Sequence, residues 1–266
     1  GGILVRHASF IVIATVRLVQ QPDQVRILLN RSRFAQIRKP RLATFVLFQL
    51  AIQLTQHDDW NAQLFSQGLD SIGNIRNFLL PVLGFHNVSN ALAAAAASSA
   101  AGLSFDAVCQ GLMAFKPVGG RMEVWRLKNG ACLIDDTYNA NPASVAAALK
   151  TLQGLKGECK STVILGDMLE LGGEAERYHE EIGRAVAETG VGKAYLRGDF
   201  ARATAKGALK RGMKGEQVLV DLSTEETVAH LKACLRTGDW VLVKGSRKMK
   251  MEEIVQAILG AIGVAK

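Results

Sequence analysis

The stretch Ala131–Val145, ACLIDDTYNANPASV, decides how the chain is read. Cys132-Leu133-Ile134 is a short apolar strand that delivers two adjacent carboxylates, Asp135 and Asp136, into a polar turn, after which Pro142 opens a helix. In an open α/β sheet, ligands gather beyond the carboxyl ends of the strands. A proline in the first helical turn fixes φ and forfeits only an N–H that had no intrahelical partner. Two neighbouring acids are costly to place unless a cation, a ribose hydroxyl or a set of N–H donors meets them. The plainer reading is that they cap the turn and the helix after it.

Working outward, Arg121 starts a strand over 122–127, and Asn129-Gly130 between two apolar runs predicts a β-hairpin. That hairpin brings Arg121 and Asp136 to neighbouring strands; the alternative is that Arg121 is a solvated strand-end charge. Phe115–Arg121, FKPVGGR, has the proline and glycine punctuation of a linker and places a domain boundary there. After Pro142 helices over 143–153, 174–188, 200–210, 224–235 and 250–262 alternate with strands over 161–166, 193–197, 217–221 and 239–244. Ser223-Thr224-Glu225-Glu226 forms a capping box. Repeated βα units predict an α/β, Rossmann-like domain over 121–266, its sheet mostly parallel with helices on both faces.

Two more strand ends carry polar groups. Val163-Ile164-Leu165 runs into Gly166-Asp167-Met168-Leu169-Glu170, and Trp240–Val243 runs into Lys244-Gly245-Ser246-Arg247. In the second, free N–H donors and the Ser246 hydroxyl at the mouth of a helix, with Lys244 and Arg247, suit a carboxylate or phosphate. The alternative leaves Lys244 and Arg247 on the surface. His179 and His230, on helices amid Glu and Ala, read as solvated. Gly190-Val191-Gly192-Lys193 imitates a phosphate loop but fails the G-x-x-x-x-G-K-[ST] template at both ends.

Upstream, an apolar strand from Leu79 turns at Gly84 into an Ala-rich helix that starts at Asn87 and ends at Gly102, followed by a short helix capped by Ser104. Asn87 and Asn90 share a face at its exposed end beside His86, and carboxamides both donate to and accept from a purine edge. Simple capping by Asn87, with His86 in a loop, is the alternative.

Composition separates the front of the chain from the rest. Residues 1–80 hold nine basic and four acidic residues, eight Arg, nine Gln and no Glu, and so carry +5 of the net +8. The rest is nearly balanced, without the basic and aromatic stripe of a nucleic-acid binder, so no nucleic acid is expected. The first Met is Met113, which reads as a fragment or an altered front, and residues 1–78 stay unassigned; a transit peptide or a shifted reading frame would also give such a composition. Ala43–Leu54 falls short of the roughly 18 residues a membrane span requires, so no insertion is expected. Four scattered cysteines without CxxC spacing read as small hydrophobes in a reducing, cytoplasmic compartment, with no metal site.

Taken in order, GFHNVSNALAAAA (84–96), FKPVGGR (115–121), LIDDTYNANPASV (133–145), ILGDMLELG (164–172) and VLVKGSR (241–247) resemble the Mur ligase family over about residues 79–266. The resemblance implies that 79–118 is the tail of the family's central ATPase domain and 121–266 its C-terminal ligase domain, in a bacterial monomer. It implies ATP-dependent amide formation with ATP and Mg2+, joining D-alanyl-D-alanine to UDP-N-acetylmuramoyl-tripeptide through an acyl phosphate. By the family pattern His86, Asn87 and Asn90 lie along the adenine, and Arg121 and Asp136 meet the ribose and phosphates. Asn139, Asn141, Asp167, Lys244, Ser246 and Arg247 face the peptide end. The family's Gly-rich GTxGKT loop and modified lysine are not recognisable in residues 1–78, which implies that this chain is inactive alone. The rival readings are a folylpolyglutamate synthetase-like ligase and a non-catalytic nucleotide- or peptide-binding module.

Overall fold

The computed structural model describes residues 64–69, 75–80, 83–116 and 118–265, and the side chains of 64–80, 85, 86, 88, 89, 92, 99 and 100 are outside that description. Most of the unassigned front, with Ala43–Leu54, therefore lies outside the described residues. The chain divides into two compact units: residues up to 81 with 88–115, and 82–87 with 116 onward.

In the first unit β1 (Leu64–Leu69) and β2 (Ile75–Leu80) form a two-stranded antiparallel sheet. The Ala-rich helix is α1 (Phe85–Ala100), which begins two residues before the expected Asn87. Asn87 therefore sits inside the first turn, and its Nδ2 reaches back 2.7 Å to the Leu83 carbonyl. Ser104 caps α2 (Phe105–Met113), its Oγ accepting from Ala107 N.

The second unit is built on a six-stranded sheet. Its strands are β3 (Glu123–Arg126), β4 (Cys132–Asp136), β5 (Ser161–Leu165), β6 (Lys193–Leu196), β7 (Val218–Val220) and β8 (Trp240–Lys244). They lie in the order β3-β4-β8-β5-β6-β7, with β3 antiparallel to β4 and every other pair parallel. The hairpin forms where Asn129-Gly130 predicts it, with Glu123 opposite Asp135. The helices are α3 (Pro142–Lys156), α4 (Ala175–Glu188), α5 (Ala201–Lys210), α6 (Thr224–Cys234) and α7 (Glu252–Ile262). Within this unit each strand or helix end falls within three residues of its sequence-based bounds.

Strand alternation explains the two helical layers. Leu133, Ile164, Tyr195, Val241 and Val243 point to one face and pack with Val228 and Leu231 of α6 and Ile254, Val255 and Ile258 of α7. Their neighbours Ile134, Val163 and Leu242 are at most 1% exposed, so the other face is covered as well. There α3, α4 and α5 pack in series. Gly183 and Gly207 permit the closest of these contacts: a methyl on either would overlap the Thr204 or the Glu180 carbonyl oxygen of the facing helix.

Candidate functional site

The carboxyl ends of β4, β5 and β8 lie side by side because β8 inserts between the other two. The acids of the 131–145 stretch end strand β4, and the helix after them is capped by other residues. Asn141 Oδ1 accepts from Ser144 N, Ser144 Oγ answers from Asn141 N, and Pro142 occupies the first helical position. Asp135 closes the turn instead, its Oδ1 accepting from Thr137 N at 3.1 Å and Thr137 Oγ1 at 2.7 Å.

Asp136 meets a cation that the local sequence does not reveal. Lys244, at the end of β8, is 2% exposed, and its Nζ donates to Asp136 Oδ2 at 2.6 Å and to the Asn139 carbonyl at 2.8 Å. Asp136 Oδ1 accepts from Met122 N at 3.2 Å. Lys244 is thus not the surface residue of the alternative reading: it is buried in an ion pair joining β4 to β8. Such a pair offsets the desolvation of both charges only because further hydrogen bonds satisfy them.

Ser246 ties three loops together. Its N–H donates to the Asp167 carbonyl at 2.9 Å, its Oγ accepts from Leu169 N at 2.8 Å, and its hydroxyl donates to the Ala140 carbonyl at 3.3 Å. The donors expected to be free at Ser246 are therefore engaged within the protein. The helix mouth expected there lies further on, since a single 3-10 turn and Lys250, at φ +48°, precede α7. Arg247 is exposed and lies 3.4 Å from Glu252.

Asp167 is turned inward and 2% exposed. Its carboxylate accepts from Asp199 N at 2.8 Å and Phe200 N at 3.1 Å, and Gly198, at φ +110°, passes so close that no side chain fits there. Burial pushes this carboxyl above its ordinary range, opposed chiefly by the two amides. His179 corrects the reading of a solvated helical histidine: it is 2% exposed and stacks on Phe200 at 4.7 Å between ring centroids. Its Nε2 accepts from Met168 N at 2.9 Å while Nδ1 donates to the Ala175 carbonyl at 2.7 Å, which fixes a neutral tautomer. His230 is exposed, as expected. No sequence signal short of the fold singles out His179, because its partners lie on a strand-end loop and a helix start.

The exposed groups on this edge are Arg121, Tyr138, Asn139, Asn141, Glu170 and Arg247. The Arg121 guanidinium lies 3.9 Å over the Tyr138 ring, and Tyr138 N donates to the Gly120 carbonyl, so the hairpin does carry Arg121 to the Asp136 end. Asn90 is exposed on α1, and the His86 side chain lies outside the described residues. Among the described residues four non-glycine residues have positive φ: Met122, Glu170, Asp221 and Lys250. Met122 precedes the antiparallel β3 and the others follow β5, β7 and β8, so all four lie at one edge of the sheet. Backbone strain of this kind collects at functional edges.

Among the described residues no group of three or more His, Cys, Asp or Glu side chains is placed to hold a metal ion. A cationic fork on an exposed ring beside a carboxylate is an arrangement suited to a phosphate-bearing ligand. Among the described residues no helix is long and apolar enough to cross a membrane.

Comparison with known proteins agrees with this architecture. Residues 120–247 match the model of the Mur ligase glutamate ligase domain. The UDP-N-acetylmuramoyl-tripeptide--D-alanyl-D-alanine ligase of Bacillus subtilis (strain 168) is 36% identical over 208 residues, covering 76% of this chain and 45% of the relative. The Escherichia coli (strain K12) ligase of the same name is 38% identical over 182 residues, covering 68% and 38%. The crystal structure of MurF from Acinetobacter baumannii superposes with a TM-score of 0.64 at 30% identity, covering 74% of this chain and 43% of that one. A MurF ligase from Thermotoga maritima in complex with ADP gives 0.64 at 22% identity, covering 76% and 44%; it shows the shared fold alone. So does the folylpolyglutamate synthase of Mycobacterium tuberculosis, at 0.52 and 19%, covering 73% and 45%. The chain spans less than half the length of the curated relatives it matches. With the glutamate ligase domain laid over the sheet edge where Asp136, Lys244 and Ser246 interlock, the chain belongs to the Mur ligase family.

Proposed function

We propose that this chain supplies the C-terminal part of an ATP-dependent ligase that joins D-alanyl-D-alanine to UDP-N-acetylmuramoyl-tripeptide. The observation that carries the reading is the interlocked edge at β4, β5 and β8, which the matched glutamate ligase domain covers. Similarity to curated ligases of that name, at 36% and 38% identity, supports the choice of substrates.

Buried and exposed groups divide the work. Asp136, Lys244, Asp167 and Ser246 position the three loops, each satisfied by partners within the protein. Fixing loops in advance removes the reorganisation that a transition state would otherwise demand. Arg121 meets nucleotide phosphate, and Asp136, at the same strand end, lies beside the ribose. ATP, when bound, supplies the phosphoryl group that activates the precursor carboxylate. Asn139, Asn141 and Arg247 face the peptide end from exposed positions. On α1, Asn87 and Asn90 are proposed, with His86, to meet the adenine base.

Titration calorimetry of the full chain with D-alanyl-D-alanine, in the presence and absence of a reduced folate, separates this reading from a folate-directed ligase. Saturable dipeptide binding that folate leaves intact is expected; displacement by folate would carry the rival. The chain alone is expected to release no phosphate from ATP with Mg2+ and both substrates, because no G-x-x-x-x-G-K-[ST] loop occurs in its sequence. Turnover at an ordinary enzymatic rate, about 1 to 1,000 per second, would overturn that expectation.

A further inference from the structure

Two short segments close on each other at the open end of the β3–β4 hairpin. Gly120, at φ +72°, and Met122, at φ +53°, are both left-handed, so the chain turns sharply on either side of Arg121. Each flank is tied to the end of β4. The Gly120 carbonyl accepts from Tyr138 N at 2.9 Å, and Met122 N donates to Asp136 Oδ1 at 3.2 Å. A methyl on Gly120 would lie 3.1 Å from Thr137 Oγ1 and 3.2 Å from Tyr138 N, so the two segments already touch there.

The side chains repeat the contact. The Arg121 guanidinium carbon sits 3.9 Å from the centroid of the Tyr138 ring, within the range where the ring quadrupole attracts a cation. Among the described residues Arg121 has no ion-pair or hydrogen-bond partner. The ring thus holds the flat face of the guanidinium and leaves its N–H edge open. Packing the turn does not call for a ring at this position, since Tyr138 is 42% exposed. A free arginine loses rotamer freedom when it grips an anion, and one already stacked on a ring has less to lose.

We infer that Tyr138 is a positioning residue: its ring orders the Arg121 guanidinium before a ligand arrives, with the N–H edge presented to a nucleotide phosphate. The inference rests on the proposed phosphate contact of Arg121. A ring that only covered the turn would matter for stability and not for phosphate affinity.

The test is calorimetric titration of the full chain with ADP and with adenosine, alongside thermal unfolding, for wild type, Tyr138→Phe, Tyr138→Leu, Arg121→Gln and the double variant Arg121→Gln/Tyr138→Leu. Tyr138→Leu is expected to weaken ADP binding about two- to fivefold, the range an exposed cation–π contact supplies, and to leave adenosine binding and the melting temperature unchanged. Tyr138→Phe, which keeps the ring face, is expected to bind ADP like wild type. In the Arg121→Gln background Tyr138→Leu is expected to change nothing further, because the cation that the ring orders is gone. Unchanged ADP binding in Tyr138→Leu would overturn the role of Tyr138 and leave the nucleotide contact standing. So would an equal loss of ADP and adenosine, a loss accompanied by a lowered melting temperature, a Tyr138→Phe variant as weak as Tyr138→Leu, or an undiminished effect of Tyr138→Leu beside Arg121→Gln. A wild-type chain that does not bind ADP, or whose ADP binding survives Arg121→Gln intact, would remove the phosphate contact itself and the positioning role with it.

Discussion

The α4–α5 face and the carboxyl-end edge of the sheet belong to the same unit and solve opposite problems. On the first, two glycines bring helices into contact, and the cations stay outside: Glu180, its own side chain 13% exposed, lies within 3.0 Å of Lys206 and Lys210, whose side chains are 51% and 56% exposed. At the second, charges are taken inside and backbone strain is retained, as with Lys244 against Asp136 and positive φ at Glu170 and Lys250. A face that needs only stability keeps its cations wet, where each pair contributes little and costs little. An edge that must hold loops in one arrangement accepts buried ions, whose loss is expensive and whose geometry is specific.

Breaking the buried pair should produce the largest effect. Lys244→Ala removes the buried cation from Asp136 and is expected to cost about 3 to 5 kcal/mol, read from the urea midpoint. A loss under about 1 kcal/mol would erase the contrast between the two regions. On the helical face Gly183→Ala drives a methyl into the Thr204 carbonyl and should cost about 1 to 3 kcal/mol by the same measurement. His179→Leu leaves the buried Met168 N–H without its acceptor, at about 1 to 3 kcal/mol, and should raise hydrogen exchange at Met168 and Leu169 first. Exchange unchanged at those amides would show that Ser246 alone holds the loop.

The smallest effect sharpens the comparison from the wet side. Hydrogen bonds from Lys206, Lys210 and Arg184 lower the Glu180 pKa from 4.5 to about 2. A depressed carboxyl contributes stability above its unfolded pKa and loses it as pH falls through the folded one. Glu180→Gln should therefore melt slightly below wild type at neutral pH, and the gap should close between pH 4.5 and about 2 and shrink in high salt. A gap that persists below pH 2 would mean that Glu180 acts through packing rather than charge.

Much of the fold was legible one segment at a time. Asn129-Gly130 marks the hairpin, Ser223 and Glu226 cap each other as their spacing predicts, and Pro142 stands at the first turn of α3. These signals act over a few residues, so local reading captures them. The site was legible only in part. The strand ends that bear Asp136, Asp167 and Ser246 were identified, but not which of their groups point inward, nor that His179 is buried.

The sequence by itself determined the alternation of strands and helices, the ends of those elements and the polar strand ends where ligands collect, because capping, turn chemistry and periodicity are short-range. Only the tertiary structure decided that β8 lies between β4 and β5, and with it the meeting of Lys244 and Asp136 across 108 residues of chain. No local preference encodes that order. It follows from which apolar faces can be covered together, and the buried charge is tolerated only once that packing has supplied its partner.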